Sequence, residues 1–138
     1  TARDPALGEQ LSSTVEKLVQ DGHDVILVET IPEFGTHVPD ALAQTNPWSW
    51  PPRVPLTLDY QSFEERTSKS HAALRDIANE FDLRLVAPED FLCDPKLQTC
   101  FSHSDTEIWY HDDNHLSSAG ASLLAELILP NEDRSQFP

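Results

Sequence analysis

A chain of 138 residues that carries nine Lys and Arg against 24 Asp and Glu has a formal net charge of −15, and such a surface repels phosphate backbones and anionic lipid. Hydrophobic residues at 38% and charged residues at 24% describe a globular chain on the polar side, long enough to bury a core. No apolar run reaches the length of a membrane span, so a nucleic-acid binder and a membrane-crossing segment both fall away at the outset. A single domain over residues 1–130 with a polar tail at 131–138 is the expected organisation.

Asp4-Pro5 predicts a helix start, and Leu7, Leu11, Val15, Leu18 and Val19 follow at helical spacing up to Gly22 as the stop. Val25-Ile26-Leu27-Val28 is an all-apolar, β-branched run that suits a strand covered on both faces. Residues 33–60 hold Pro39, Pro47, Pro51, Pro52 and Pro55 and are expected to form one long irregular excursion carrying Trp48 and Trp50. Those tryptophans either pin the loop to the body or offer a stacking surface to a sugar or an acyl group. Ser62-Phe63-Glu64-Glu65 has the form of a capping box, with a helix following through Leu74, Ile77, Ala78 and Phe81. Leu83-Arg84-Leu85-Val86 is the next strand, parallel to the first. Ile108-Trp109-Tyr110 is a further short extended piece, and Ser117 caps a last helix through Ile128 that Pro130 ends. The sum is an α/β fold with helices on a small parallel sheet, in which sites lie beyond the carboxyl ends of the strands.

Cys93 and Cys100 are the only cysteines and flank a polar, Pro-containing loop. A disulfide closing that loop, and with it an oxidising compartment, is favoured over two unrelated buried thiols. Tyr110-His111-Asp112-Asp113-Asn114-His115-Leu116-Ser117 carries the chemistry. Asp112 and His115, three residues apart in a turn, let the carboxylate reach the imidazole Nδ1 and leave Nε2 to take a proton from a hydroxyl nucleophile. Ser117 follows too closely to be that nucleophile and serves as the helix cap. Two other readings stand beside this one. His103, Asp105, His111, Asp112, Asp113 and His115 are all ligand types for a divalent metal, and a chain without a nucleophile could simply bind glycan through Trp48 and Trp50.

The segment Asp112-Asp113-Asn114-His115-Leu116-Ser117, followed by Ala119-Gly120-Ala121, resembles the terminal block of SGNH hydrolases, whose Asp-x-x-His supplies the catalytic acid and base. More narrowly, it resembles the SGNH domain fused behind the membrane acyltransferase domain of bacterial acyltransferase-3-type proteins, the O-antigen acetylases. In that group a Cys pair precedes Tyr-x-Asp-x-x-His-Leu-Ser, matched here by Cys93, Cys100, Tyr110, Asp112, His115, Leu116 and Ser117. The resemblance implies a partial SGNH (flavodoxin-like) three-layer sandwich with a small parallel sheet. It implies Asp112 as the orienting acid and His115 as the general base. Trp48 and Trp50 of the Pro-rich loop, and Tyr110 beside the dyad, are the candidate substrate contacts. No cofactor and no metal are expected. The family's Gly-Asp-Ser and its oxyanion-hole blocks have no counterpart in this sequence, so the chain is expected to be the C-terminal part of such a domain, with the nucleophile upstream. The implied activity is O-acyl, by default acetyl, transfer to a bacterial cell-surface polysaccharide or lipopolysaccharide sugar, with a carbohydrate esterase as the alternative where water is the second acceptor. The implied partners are a glycan acceptor, an acyl donor and an upstream membrane acyltransferase domain, with no nucleic acid. The implied place is the periplasm, as a soluble domain of an inner-membrane protein.

Overall fold

The computed structural model describes residues 5–45, 50–52 and 54–129. In chain order the elements are α1 (Pro5–Gln20), β1 (Ile26–Val28), α2 (Val38–Thr45), β2 (Thr57–Asp59), α3 (Tyr60–Glu80), β3 (Arg84–Val86), α4 (Glu89–Leu92), β4 (Cys93–Asp94), β5 (Thr99–Phe101) and α5 (Ser118–Ile128). They belong to two compact units. One holds the residues up to Glu29 together with Thr67–Ala87, and the other holds Thr30–Arg66 with the residues from Pro88 onward.

In the first unit β1 and β3 pair in parallel, Leu27 opposite Leu85 and Val28 opposite Val86. The expected strands are both present, each trimmed to three residues. Val15, Leu27, Ile77 and Ala78 form the core, with Val19, Val25, Leu74, Phe81, Leu83 and Leu85 packed against it. Leu74, Ile77, Ala78 and Phe81 are one helical stripe of α3, which explains why they were legible by spacing. On α1 the stripe is narrower than expected: Val15 is buried while Leu11 and Leu18 stay exposed. Gly22 ends α1 with φ +84°, its N–H bonded to the Val19 carbonyl and the His23 N–H to the Leu18 carbonyl. That double bond is the Schellman closure, which needs a left-handed residue at this position. Beyond β1, Glu29 is buried, and its Oε1 accepts from Arg75 Nε at 3.0 Å while His71 Nδ1 stands 3.6 Å from Oε2. A carboxylate withdrawn from water requires a cation beside it, here the Arg75 guanidinium.

The second unit corrects two expectations. Residues 33–60 are not one irregular excursion, because α2 and β2 lie within them. Pro39 does not prevent α2, since it occupies the first turn, where its missing N–H has no intrahelical partner to lose. Ser62 does not open the long helix either. α3 starts at Tyr60, and Asp59 Oδ2 accepts the Ser62 N–H at 2.7 Å. Asp59 is therefore the cap, and this N–H holds its carboxyl below the usual carboxylate range.

A three-stranded antiparallel sheet of order β2-β5-β4 completes the unit. Cys100 sits in its central strand, opposite Leu58 on one side and Cys93 on the other. Cys93 and Cys100 form the expected disulfide, across the β4–β5 pair. Tyr60, Phe63 and Cys100 make one apolar cluster, and Val38, Leu42, Leu92 and Tyr110 make a second. The fold is thus mixed α/β with a small parallel sheet, as expected, and an antiparallel sheet the sequence did not announce. No helix among the described residues is long and apolar enough to cross a membrane.

Candidate active site

The site is a loop clamped at its base. Tyr110 and Leu116 bridge as antiparallel partners, and the His111 N–H donates to the His115 carbonyl at 2.8 Å. The five residues between them project as a tight turn. Ser117 ends the turn and begins α5. Its Oγ accepts the Gly120 N–H at 3.2 Å and its hydroxyl donates to the Ile108 carbonyl at 2.6 Å, while its N–H donates to the Trp109 carbonyl at 2.8 Å. The expected cap is therefore also a tie between α5 and the strand-like stretch before the loop.

Within the turn, one carboxylate organises everything. Asp112 Oδ1 accepts the Asn114 N–H at 3.0 Å and the His115 N–H at 2.7 Å. Asp112 Oδ2 meets His115 Nδ1 at 2.8 Å. The acid thus builds the turn with one oxygen and orients the ring with the other. The Asn114 N–H is the largest cause that brings the Asp112 carboxyl down to about 2; partial burial opposes it, and the amide, ring and charge of His115 add to the lowering. An ionised Asp112 fixes the proton of a neutral His115 on Nδ1, leaving the Nε2 lone pair outward. The side chain of His115 is 74% exposed, that of Asp112 30%. The imidazole is thus the more open partner of the pair, as a general base has to be to reach a hydroxyl.

The loop is held from a second side by the segment that follows β1. Phe34 N–H donates to the Asp113 carbonyl at 2.9 Å and Val38 N–H to the Asp112 carbonyl at 3.2 Å. The Tyr110 hydroxyl donates to the Pro32 carbonyl at 2.9 Å, and its ring meets Phe34 edge-on. Tyr110 is 1% exposed, and burial pushes its phenol pKa up. This corrects the expectation of a substrate contact: with its ring in the core and its one proton bonded to Pro32, Tyr110 is a brace for the loop. Trp50 is 43% exposed and lies edge-on to the His103 ring at 5.5 Å. Trp48 lies outside the described residues.

The six candidate metal ligands between His103 and His115 do not converge. Among the described residues, no three of them bring ligand atoms within 4.8 Å of one another. His103 Nδ1 faces the Ser104 carbonyl at 2.8 Å instead.

A second Asp–His pair went unread in the sequence. His37 Nδ1 stands 3.2 Å from Asp40 Oδ2 at the start of α2, beside the Val38 N–H that binds the Asp112 carbonyl. The signal was present as His-x-x-Asp, the reverse of Asp-x-x-His, inside the stretch read as irregular.

The family model described as the SGNH domain fused to AT3 domains matches residues 1–130. Among solved structures, the chain is similar to the periplasmic domain of a lipopolysaccharide acetyltransferase from Salmonella ser. Paratyphi A, with a TM-score of 0.59 and 17% identity. The match covers 86% of this chain and 46% of that one, so the chain spans about half the length of the solved domain, and at this identity the likeness is one of fold. The chain has no match among curated proteins.

Proposed function

The chain belongs to the SGNH domains that are fused to AT3 domains, and we propose that it supplies the acid–base pair of a serine acyl-transfer site, with His115 as general base and Asp112 as its orienting acid. The observation that carries this reading is the 2.8 Å contact between Asp112 Oδ2 and His115 Nδ1, with the imidazole open to solvent. The serine comes from the parent protein outside this chain. Ser117 is unsuited to the role, because its Oγ already caps α5 and its proton is directed at the Ile108 carbonyl.

The serine Oγ attacks the acyl carbonyl as its proton passes to His115 Nε2. The resulting imidazolium is stabilised by the Asp112 carboxylate. Collapse of the tetrahedral intermediate breaks the bond to the leaving alcohol, which takes the proton from Nε2. An acceptor hydroxyl then gives its proton to Nε2 and attacks the acyl-serine, and the serine recovers the proton as it leaves. The family's fusion to a membrane acyltransferase domain supports a carbohydrate hydroxyl as that acceptor. The fold shared with a lipopolysaccharide acetyltransferase domain supports acetyl as the group moved, a bacterial surface polysaccharide or lipopolysaccharide as the acceptor, and the periplasm as the place. The Cys93–Cys100 disulfide fits an oxidising compartment. Trp50, exposed among prolines, is a candidate platform for the glycan.

The test is His115→Ala in the complete parent protein, assayed on a small acetyl ester and on acetylation of the cell's own surface polysaccharide. Both activities should fall by about 10⁴-fold or more, the scale set by loss of the base in serine hydrolases. Retention of either within about tenfold would remove His115 from the mechanism.

A further inference from the structure

The segment that carries the second Asp–His pair is bonded, backbone to backbone, to the turn that carries the first. The Val38 N–H that follows His37 is bonded to the carbonyl of Asp112, and the Phe34 N–H to that of Asp113. The backbone of residues 34–38 therefore runs alongside the dyad turn, with His37 on its rim. The side chain of His37 is 50% exposed, and both of its hydrogen-bonding contacts are made by Nδ1, which leaves Nε2 as the ring nitrogen on offer to a ligand. Its Nδ1 is within reach of two partners on Asp40: the backbone N–H at 3.4 Å and the carboxylate Oδ2 at 3.2 Å.

These partners impose opposite tautomers. When Nδ1 accepts the Asp40 N–H, the ring proton sits on Nε2, which is then a donor. When Nδ1 donates to the Asp40 carboxylate, Nε2 carries a lone pair and is an acceptor. A carbonyl or a carboxylate can use only the first state. A hydroxyl, which both donates and accepts, can use either. Capping of α2 does not by itself call for imidazole, since Ser, Asn and Asp do that work better.

We propose that His37 binds the acyl acceptor, a sugar hydroxyl of the surface glycan, through Nε2, with Asp40 holding the ring at the rim of the Asp112–His115 turn. This rests on the reading of the dyad given above. His37 takes no part in forming the acyl-serine; it holds the incoming sugar.

The experiment compares the complete parent protein with its His37→Ser and His37→Asn variants, both of which keep a good helix cap. Two activities are read: hydrolysis of a small acetyl ester, which needs no sugar, and acetylation of the cell's own surface polysaccharide. Thermal melting accompanies both. The expected result is glycan acetylation reduced roughly five- to tenfold, the worth of one neutral hydrogen bond, with ester hydrolysis within twofold and melting unchanged or raised. Unchanged glycan acetylation overturns the proposal. An equal fall in both activities also overturns it, because His37 would then serve the dyad or the fold and not the acceptor. His115→Ala run in parallel separates the two readings: if that variant keeps both activities, the dyad assignment fails first, whatever His37 does.

Discussion

Asp112 makes three contacts with two oxygens, and its replacement by Asn separates their roles. An Asn side chain can still accept the Asn114 and His115 amides through its carbonyl, so the turn survives. Its amide nitrogen then faces Nδ1 as a donor, which favours the tautomer with the proton on Nε2 and blocks the base. Asp112→Asn in the complete parent protein should therefore fold normally yet lose about 10³- to 10⁴-fold in kcat/KM, less than the loss for His115→Ala. The pH dependence of the turn has a definite sign. The folded Asp112 carboxyl lies at about 2, below its ordinary value of 3.8, so its contribution to stability is present above pH ~4 and is lost as pH falls through about 2. The amide chemical shifts of Asn114 and His115 should hold down to about pH 3 and move below it; a transition near pH 5 would contradict the hydrogen-bonding described. This residue pair was legible in sequence because its geometry is set within four positions of chain. Tyr110 was not, because what buries it, Pro32 and Phe34, lies more than 70 positions away.

Elements show the same division between local and distant causes. The stop at Gly22, the stripe on α3 and the cap at Ser117 were readable because each is a pattern within one or two turns of chain. The strands β2, β4 and β5 are two or three residues long and show no alternation, so only their partners define them. The cap at Asp59 was missed because a Ser-x-x-Glu pattern three residues later imitates one. Two helical glycines make the contrast measurable. Gly8 lies within α1 with nothing within 4 Å of where a Cβ would stand. At Gly120, in α5, a Cβ would overlap the Trp109 carbonyl oxygen and crowd Leu116 Cδ2 at 3.0 Å. The Trp109 carbonyl cannot yield, since it also accepts the Ser117 N–H beneath the Asp112–His115 turn. Gly8→Ala should stabilise by about 0.5–1 kcal/mol, and Gly120→Ala should destabilise by about 1–3 kcal/mol. Urea denaturation of both variants checks the pair; equal effects of one sign would mean that α5 does not abut Trp109.

At the scale of the whole molecule, the charge of −15 and the single disulfide act on opposite sides of the folding equilibrium. A surplus of carboxylates repels itself in the compact state, so folding works against the composition. The parallel sheet gives limited help, because with two short strands it leaves Val28, the end of an all-apolar run, 37% exposed. Such a run suits a strand covered on both faces, but that covering depends on neighbours and not on the run itself. The Cys93–Cys100 bond offsets some of this by restricting the unfolded chain. It closes a short loop, with a sequence separation of seven, and the chain-entropy relation assigns such a loop roughly 2–3 kcal/mol. Because the effect resides in the unfolded ensemble, it should appear as a shift in stability with the native spectrum little changed. Adding a phosphine reductant, or replacing both cysteines by Ala, should lower the melting temperature by roughly 6–12 °C for a domain of this size. Low salt should lower the melting temperature of the oxidised and the reduced protein alike, since unscreened carboxylates then weigh most heavily against the compact state. Melting curves recorded with and without reductant, at low and at high salt, test both parts together: a reduced protein as stable as the oxidised one at either salt would show that the loop closure contributes nothing to the fold.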